Sequence, residues 1–296
     1  MCGIAGLYLK NDRLESELGS LLSRMLVVLT DRGPDSTGFA IYGSGSPEDV
    51  KVTLRAADGS RLQTAVAAIE SQFGKVRPVY RSNHAVISMA PGSISALQSF
   101  VAGQVGDVEI VGSGTRMEIY KEVGLPAQVS ERFELPRMGG THAIGHTRMA
   151  TESAVTTRGA HPFSTGRDQC LVHNGSLSNH NALRRELKRN GIAFTTDNDS
   201  EVAAGYLSWC MREGATLKQA LTRGLSDLDG FYTFVVGTES GFAVLRDPIA
   251  CKPAVMAETN DYIAFGSEYR ALAVLPGIQA AKVFEPEPAK VYVWER

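Results

Sequence analysis

The opening stretch Met1–Leu7, MCGIAGL, decides how the rest of the chain is read. Removal of Met1, which a small residue at position 2 permits, would leave Cys2 with its thiol and a free α-amine on one carbon. That places a nucleophile and a weak base in a single residue. Ile4, Leu7 and Leu9 read as a buried strand directly behind it, fixing the cysteine in place. Taken alone, a cysteine at position 2 is an ordinary thiol at a frayed end, so its assignment depends on what the remaining chain supplies.

Bulk composition narrows the classes. The 296 residues suffice for one large domain, or for one domain carrying an insertion, and 43% hydrophobic with 21% charged residues describes an ordinary globular protein. Thirty basic residues nearly balance thirty-two acidic ones, which gives no electrostatic reason to expect nucleic acid or a membrane surface. No apolar run approaches membrane-spanning length, and the start lacks signal-peptide architecture. Cys2, Cys170, Cys210 and Cys251 are scattered, with no CxxC pair and no ligand-like spacing. The expectation is a reduced, cytoplasmic protein with no metal site.

The leucines and Met25 between Leu14 and Leu29 recur at helical spacing, predicting an amphipathic helix over 15–30. The turn-rich loop DRGPDSTG (Asp31–Gly38) follows, then the strand FAIYG. Arg32 before Gly33 could hold a neighbouring loop or an anion, although such a loop is also what turn chemistry alone produces. Residues 45–137 read as a small inserted α/β subdomain: strands at 50–56, 85–89, 108–111 and 117–123, with helices at 62–73 and 94–105. The main domain, 2–44 and 138–296, resumes at THAIGHTRMATES and runs through AHPF to QCLVHNGSLSN. Cys170 and Val172 are inward strand positions there. Helices are predicted over 181–190, with Arg184, Arg185, Lys188 and Arg189 on a solvated face, from Ser200–Glu201 onward, and over 217–228 with Thr216 as cap. The strand-rich tail implies stacked layers.

Three further motifs carry possible chemistry. GHTRMAT supplies Arg148, a guanidinium able to hold a carboxylate through two parallel hydrogen bonds or to form a structural ion pair. HNGS supplies Asn174 and Gly175, whose side-chain amide and backbone N–H can converge on a developing oxyanion; an Asn-Gly turn at a strand end is the alternative. DNDSE supplies Asp199, which would accept hydrogen bonds from a substrate ammonium or merely cap the helix behind it. Together with Cys2 these are the parts needed to hydrolyse an amino-acid amide, and glutamine carries all the matching groups. The α-amine, with an ordinary pKa of about 7.7–8, would act as general base through a water.

The series MCGIAGL, RGPDSTG, GHTRMAT, AHPF, HNGS, DNDSE and, more loosely, RDPIACKP and GSE resembles the class II glutamine amidotransferases. The resemblance covers nearly all the chain outside the insertion. It implies an α+β fold, the four-layer αββα sandwich of N-terminal-nucleophile (Ntn) hydrolases. It implies Cys2 as nucleophile, Asn174 with Gly175 as oxyanion hole, Arg148 on the glutamine carboxylate and Asp199 on its ammonium, with Arg32 and Thr151 in the surrounding pocket. The family often shows DPxGxRPL, where this chain has Ala250 in place of the glycine and Lys252 in place of the arginine. Met149 stands where some members carry an aromatic residue.

Among stand-alone members, the MCGIAGLYLK opening and the long insertion most resemble the amidotransferase subunit of N-methylglutamate synthase and its glutamate-synthase-like relatives. That implies a hetero-oligomer with separate synthase subunits. FMN and iron–sulfur centres would lie in those partners, and no cofactor in this chain. The chain shows no nucleotide-binding loop, sugar-phosphate domain or cluster-forming cysteines after the amidotransferase core, so the ammonia-using site is expected on another polypeptide. Two other readings stand beside this one: an Ntn peptidase or amidase of different substrate, and a catalytically silent assembly subunit. Holding both ends of a free amino acid with Arg148 and Asp199 argues against the first.

Overall fold

The computed structural model describes residues 2–150 and 154–296. The first half contains β1 (Gly3–Leu9), α1 (Leu18–Val27), β2 (Ser36–Tyr42), β3 (Val50–Ala56), α2 (Gly59–Phe73), β4 (Val79–Arg81), β5 (His84–Met89), α3 (Ile94–Gln104), β6 (Val108–Gly114), β7 (Met117–Val123) and α4 (Pro126–Arg132). The second contains β8 (His142–Arg148), β9 (Phe163–Gly166), β10 (Gln169–Leu177), α5 (His180–Arg189), α6 (Asp199–Arg212), α7 (Leu217–Asp227) and β11 (Gly230–Gly237). The chain closes with β12 (Gly241–Arg246), β13 (Val255–Glu258), β14 (Tyr262–Gly266), α8 (Tyr269–Leu272), β15 (Lys282–Phe284) and β16 (Val291–Glu295).

β1 is buried along its whole length, and the two-residue period of a strand divides its side chains between two cores. Ala5, Leu7 and Leu9 enter the core beneath α1, with Leu18, Leu21, Leu22, Met25 and Leu26. Ile4 and Tyr8 enter the core between two stacked sheets, with Val172, Val235, Phe242 and Phe265. Among the described residues, one sheet runs β15-β13-β14-β1-β8-β2-β7 and the other β16-β12-β11-β10-β9. A third core, with Val202, Tyr206, Leu207, Ala220 and Leu221, joins the outer face of the second sheet to α6 and α7. Helix, sheet, sheet and helix therefore stack as the αββα sandwich that the sequence resemblance implies. Each wholly buried Leu or Phe contributes about 1.5–3 kcal/mol relative to exposure.

The helix expected over 15–30 is shorter. Asn11 accepts from the backbone N–H of Arg13 and opens a 3-10 stretch over Asp12–Glu17, and the α-helix proper spans Leu18–Val27. Thr30 then turns its hydroxyl back onto the Val27 carbonyl at 2.6 Å, starting the 3-10 turn Thr30–Arg32. Thr216 caps the helix over Leu217–Asp227 as the sequence reading expects, and the Gln219 side chain completes a capping box. Arg184, expected on a solvated face, is buried instead; its guanidinium donates to Asn181 Oδ1 and to the Asn198 carbonyl, both at 3.1 Å. The second of these bonds ties α5 to the residue in front of α6.

Within 45–137, β4-β5-β3-β6 form a separate four-stranded sheet, and α2 and α3 pack with it around Leu54, Leu62, Ile69, Ile87 and Leu97. β7 departs from the expectation. Though assigned to the inserted block by sequence, it pairs antiparallel with β2 from Ser36↔Val123 to Tyr42↔Met117 and edges the seven-stranded sheet. Met117 and Ile119 accordingly lie in the inter-sheet core. The passage from β6 to β7 is held by buried Asp168. Its carboxylate accepts the backbone N–H groups of Thr115 (2.6 Å), Arg116 (2.9 Å) and Met117 (3.1 Å), and its own N–H donates to the Ser113 carbonyl at 2.9 Å.

Candidate active site

Cys2 sits at the end of β1, where neighbouring segments fasten the backbone. Ile4 and Ser267 exchange two hydrogen bonds: Ile4 N–H to Ser267 Oγ at 2.9 Å, and Ser267 N–H to the Ile4 carbonyl at 3.0 Å. Arg32 emerges buried from its 3-10 turn, donating Nε–H to the Cys2 carbonyl at 3.0 Å and an Nη1 proton to Glu268 Oε1 at 2.6 Å. Burial alone would raise the Glu268 carboxyl, but hydrogen bonds and charge from Arg32 and Arg270 outweigh it and hold the group below its ordinary value. Gly33 lets this turn approach β8: a Cβ there would lie 2.3 Å from the Thr147 carbonyl carbon. Cys2 Sγ reaches the Met149 carbonyl at 4.0 Å.

Strand parity brings Asn174 to the same place. Cys170 and Val172 point into the inter-sheet core, and Asn174 continues that face, donating Nδ2–H to the Cys2 carbonyl at 3.4 Å. Asn174 and Gly175 lie inside β10, paired with Thr233 and Tyr232, so the Asn-Gly turn is not formed. Gly175 has φ +153°, and a Cβ there would stand 2.0 Å from the Phe231 carbonyl oxygen. Arg148 ends β8; pairing of Gly3 with Thr147 places it beside Cys2, buried, with Nη1 donating to the Ala154 carbonyl at 3.4 Å. Asp199 opens α6 but does not cap it. Asn198 is the cap, accepting Ser200 N–H at 2.9 Å, while Asp199 Oδ2 accepts the N–H of Leu177 on β10 at 2.9 Å. Thr151 and Met1 lie outside the described residues.

Cys2, Arg32 and Asn174 thus share direct contacts, with Arg148 reaching them through strand register and Asp199 through β10. The direct contacts on Cys2 from Arg32 and Asn174 are made at its backbone carbonyl. Cys170 is buried, its thiol pushed up to about 12 by burial; Cys210 is buried and Cys251 exposed. Among the described residues no group of three or more His, Cys, Asp or Glu side chains is arranged to hold a metal, and no helix is long and apolar enough to cross a membrane.

Several neighbours were not singled out in the sequence. Glu268 anchors Arg32, and Asp35 holds the segment after Arg148: its Oδ2 accepts Ala150 N–H at 2.7 Å, and its N–H donates to the Arg148 carbonyl at 3.0 Å. His146, His161 and His173 gather behind β10, with the rings of His146 and His161 stacked at 4.0 Å. Burial pushes His146 down to about 3. It also lowers His161, with the neighbouring histidines adding, and lowers His173 despite the opposing Asp199 carboxylate. The alternation His142, Ile144, His146 was the available signal, since a strand buried on both faces leaves its histidines no solvent.

Known proteins are similar to this chain over its whole length. A family model described as a glutamine amidotransferase domain matches residues 146–274. A "glutamine amidotransferase-like protein GlxB" of Rhizobium meliloti is 60% identical over 299 residues, covering 100% of this chain and 98% of its own. The chain belongs to the class II glutamine amidotransferases. This amidotransferase is also 33% identical to a "putative glutamine amidotransferase" of Methanothermobacter thermautotrophicus, covering 99% of both chains. In structure it matches the glutamine phosphoribosylpyrophosphate amidotransferase of B. subtilis with a TM-score of 0.64 at 22% identity, a likeness of fold. The match covers 99% of this amidotransferase and 47% of that chain, so this protein spans about half its length.

Two departures from the family pattern acquire a geometry. Ala250, in the usual glycine place, adopts φ +51°, the left-handed conformation that glycine takes without steric cost. Its N–H donates to Asp247 Oδ2 at 3.1 Å. Lys252 lays its ammonium over the Phe231 ring, 4.9 Å from the centroid.

Proposed function

We propose that this amidotransferase hydrolyses L-glutamine to glutamate and ammonia with Cys2 as nucleophile. The observation that carries the reading is the convergence of Arg32 and Asn174 on the Cys2 carbonyl, at 3.0 and 3.4 Å, which sets the thiol-bearing residue against the oxyanion strand. In this reading Met1 is removed and the α-amine of Cys2 accepts the thiol proton through a water. Sγ attacks the side-chain carbonyl carbon of glutamine. The oxyanion is met by Asn174 Nδ2–H and the Gly175 N–H, while Arg148 holds the α-carboxylate and Asp199 the α-ammonium. Collapse breaks the C–N bond, the protonated amine returns its proton to the leaving nitrogen, and ammonia departs. Water, deprotonated by the same amine, then cleaves the γ-glutamyl thioester, regenerating the thiol and releasing glutamate. Arg32 holds the nucleophile's backbone, and Thr151 completes the pocket.

We further propose that the ammonia passes to a separate synthase subunit of a glutamate-synthase-like complex, with N-methylglutamate synthase as the specific case. FMN and iron–sulfur centres would reside in those partners. The MCGIAGLYLK opening and the insertion before GHTRMAT support this placing. The decisive experiment measures glutamate release from glutamine by the purified chain, alone and with partner subunits, for wild type and Cys2→Ala. Cys2-dependent hydrolysis is expected; none in either setting, or Met1 retained by intact mass, refutes the enzyme reading in favour of an assembly subunit. Failure of the complex to form N-methylglutamate from glutamine and methylamine refutes the specific case.

A further inference from the structure

Behind the oxyanion strand lies a hydrogen-bonded junction that the reaction as written does not use. Ser200 Oγ is 2.8 Å from His161 Nε2, 2.9 Å from His173 Nδ1 and 3.4 Å from Asp199 Oδ1. The far nitrogens, His161 Nδ1 and His173 Nε2, are buried and have no hydrogen-bond partner among the described residues. A hydroxyl has one proton to give, so at least one of the two rings donates its own N–H to Ser200. The helix does not need this hydroxyl, because Asn198 already caps α6.

The junction touches both halves of the site. His173 immediately precedes Asn174; its carbonyl accepts His146 Nε2–H at 3.1 Å, and its ring lies so close beneath Gly175 that a Cβ there would come within 2.8 Å of Nε2. Asp199 immediately precedes Ser200 and is held on its other oxygen by the Leu177 N–H at 2.9 Å. Ser200 is 2% exposed and has a short side chain with little rotamer freedom to lose, so the junction is stiff. We propose that Ser200 is a positioning residue that locks the oxyanion strand and the Asp199 carboxylate into one geometry. The carbonyl and the ammonium of bound glutamine are thereby held at a fixed separation. The inference rests on the glutaminase reading above and deepens it.

The test compares kcat/KM for L-glutamine with that for glutaramate, which lacks the α-ammonium, in wild type, Cys2→Ala, Ser200→Ala and Ser200→Thr. Ser200→Ala is expected to lower kcat/KM about a hundredfold for glutamine and about tenfold for glutaramate, because only glutamine uses Asp199. An equal loss on both substrates, or a loss within about twofold on glutamine, overturns the proposal. Should Ser200→Ala fail to fold, Ser200→Thr, which keeps the hydroxyl, must fold and retain the wild-type preference between the two substrates; loss of that preference also overturns it. Wild type without Cys2-dependent hydrolysis refutes the functional reading and this inference with it. An active wild type with an indifferent Ser200→Ala refutes this inference alone.

Discussion

Acidification between pH 7.5 and 5.5 should destabilise this protein before its carboxylates begin to titrate. Burial pushes His84, His142 and His146 down to about 3 in the folded chain, against about 6.5 when unfolded. Below 6.5 the unfolded chain therefore binds protons that the native one refuses, so stability is complete above that pH and is lost as pH falls toward 3. At pH 5.5 each group costs about 1.4 kcal/mol relative to pH 7.5, and the three together about 4 kcal/mol. That is a large share of the 5–15 kcal/mol typical of a folded domain. His161 and His173, lowered by burial, act in the same direction. Urea unfolding followed by circular dichroism at pH 7.5, 6.5 and 5.5 reads the effect as a falling midpoint. His142→Asn, placed where His142 donates to the Thr238 carbonyl at 2.8 Å, should remove about one third of the loss assigned to the three groups. A midpoint that is flat or rises on acidification would refute the reasoning, as would a His142→Asn variant with an unchanged slope.

Ala250→Gly should stabilise the protein by about 1 kcal/mol, since glycine removes the left-handed penalty at φ +51° and returns only part of it as unfolded-state entropy; the thermal midpoint checks this. Gly175→Ala should lower glutamine hydrolysis at least about a hundredfold, because its Cβ would meet the Phe231 carbonyl at 2.0 Å and displace the strand bearing Asn174; initial rates of glutamate release decide it. Asp168→Ala should cost about 3 kcal/mol by stripping three backbone N–H groups of their acceptor, and Asp168→Asn roughly half as much. Urea midpoints of the two variants would show equal losses if the clamp were unimportant.

Much of the sandwich was legible because burial leaves a parity mark. Ile4 and Leu7 read as strand, Cys170 and Val172 as inward, and the inter-sheet core contains Ile4, Cys170 and Val172 as those positions require. Parity does not name a strand's partner, so the sequence groups β7 with the insertion although it pairs with β2. Arg184 looked solvated because a run of basic residues hides which of them has a carbonyl to meet; here it meets that of Asn198. Asn174–Gly175 admitted both a turn and a strand, and pairing with β11 decided between them. Asp199 admitted a capping role that Asn198, one residue earlier, had already taken. The Ser200 junction was illegible for another reason: His161, His173 and Ser200 are separated by spacings that match no local periodicity and meet only when α6 packs on β10.

The Asp168 clamp gives the inserted sheet a mechanical standing. Asp168 grips the β6–β7 turn and is followed at once by β10, on which Asn174 lies six residues further on, about 20 Å of extended chain. β10 is hydrogen-bonded on both sides, to β9 and β11. The β6–β7 turn beside the inserted sheet is therefore tied, through Asp168, to the strand that carries Asn174.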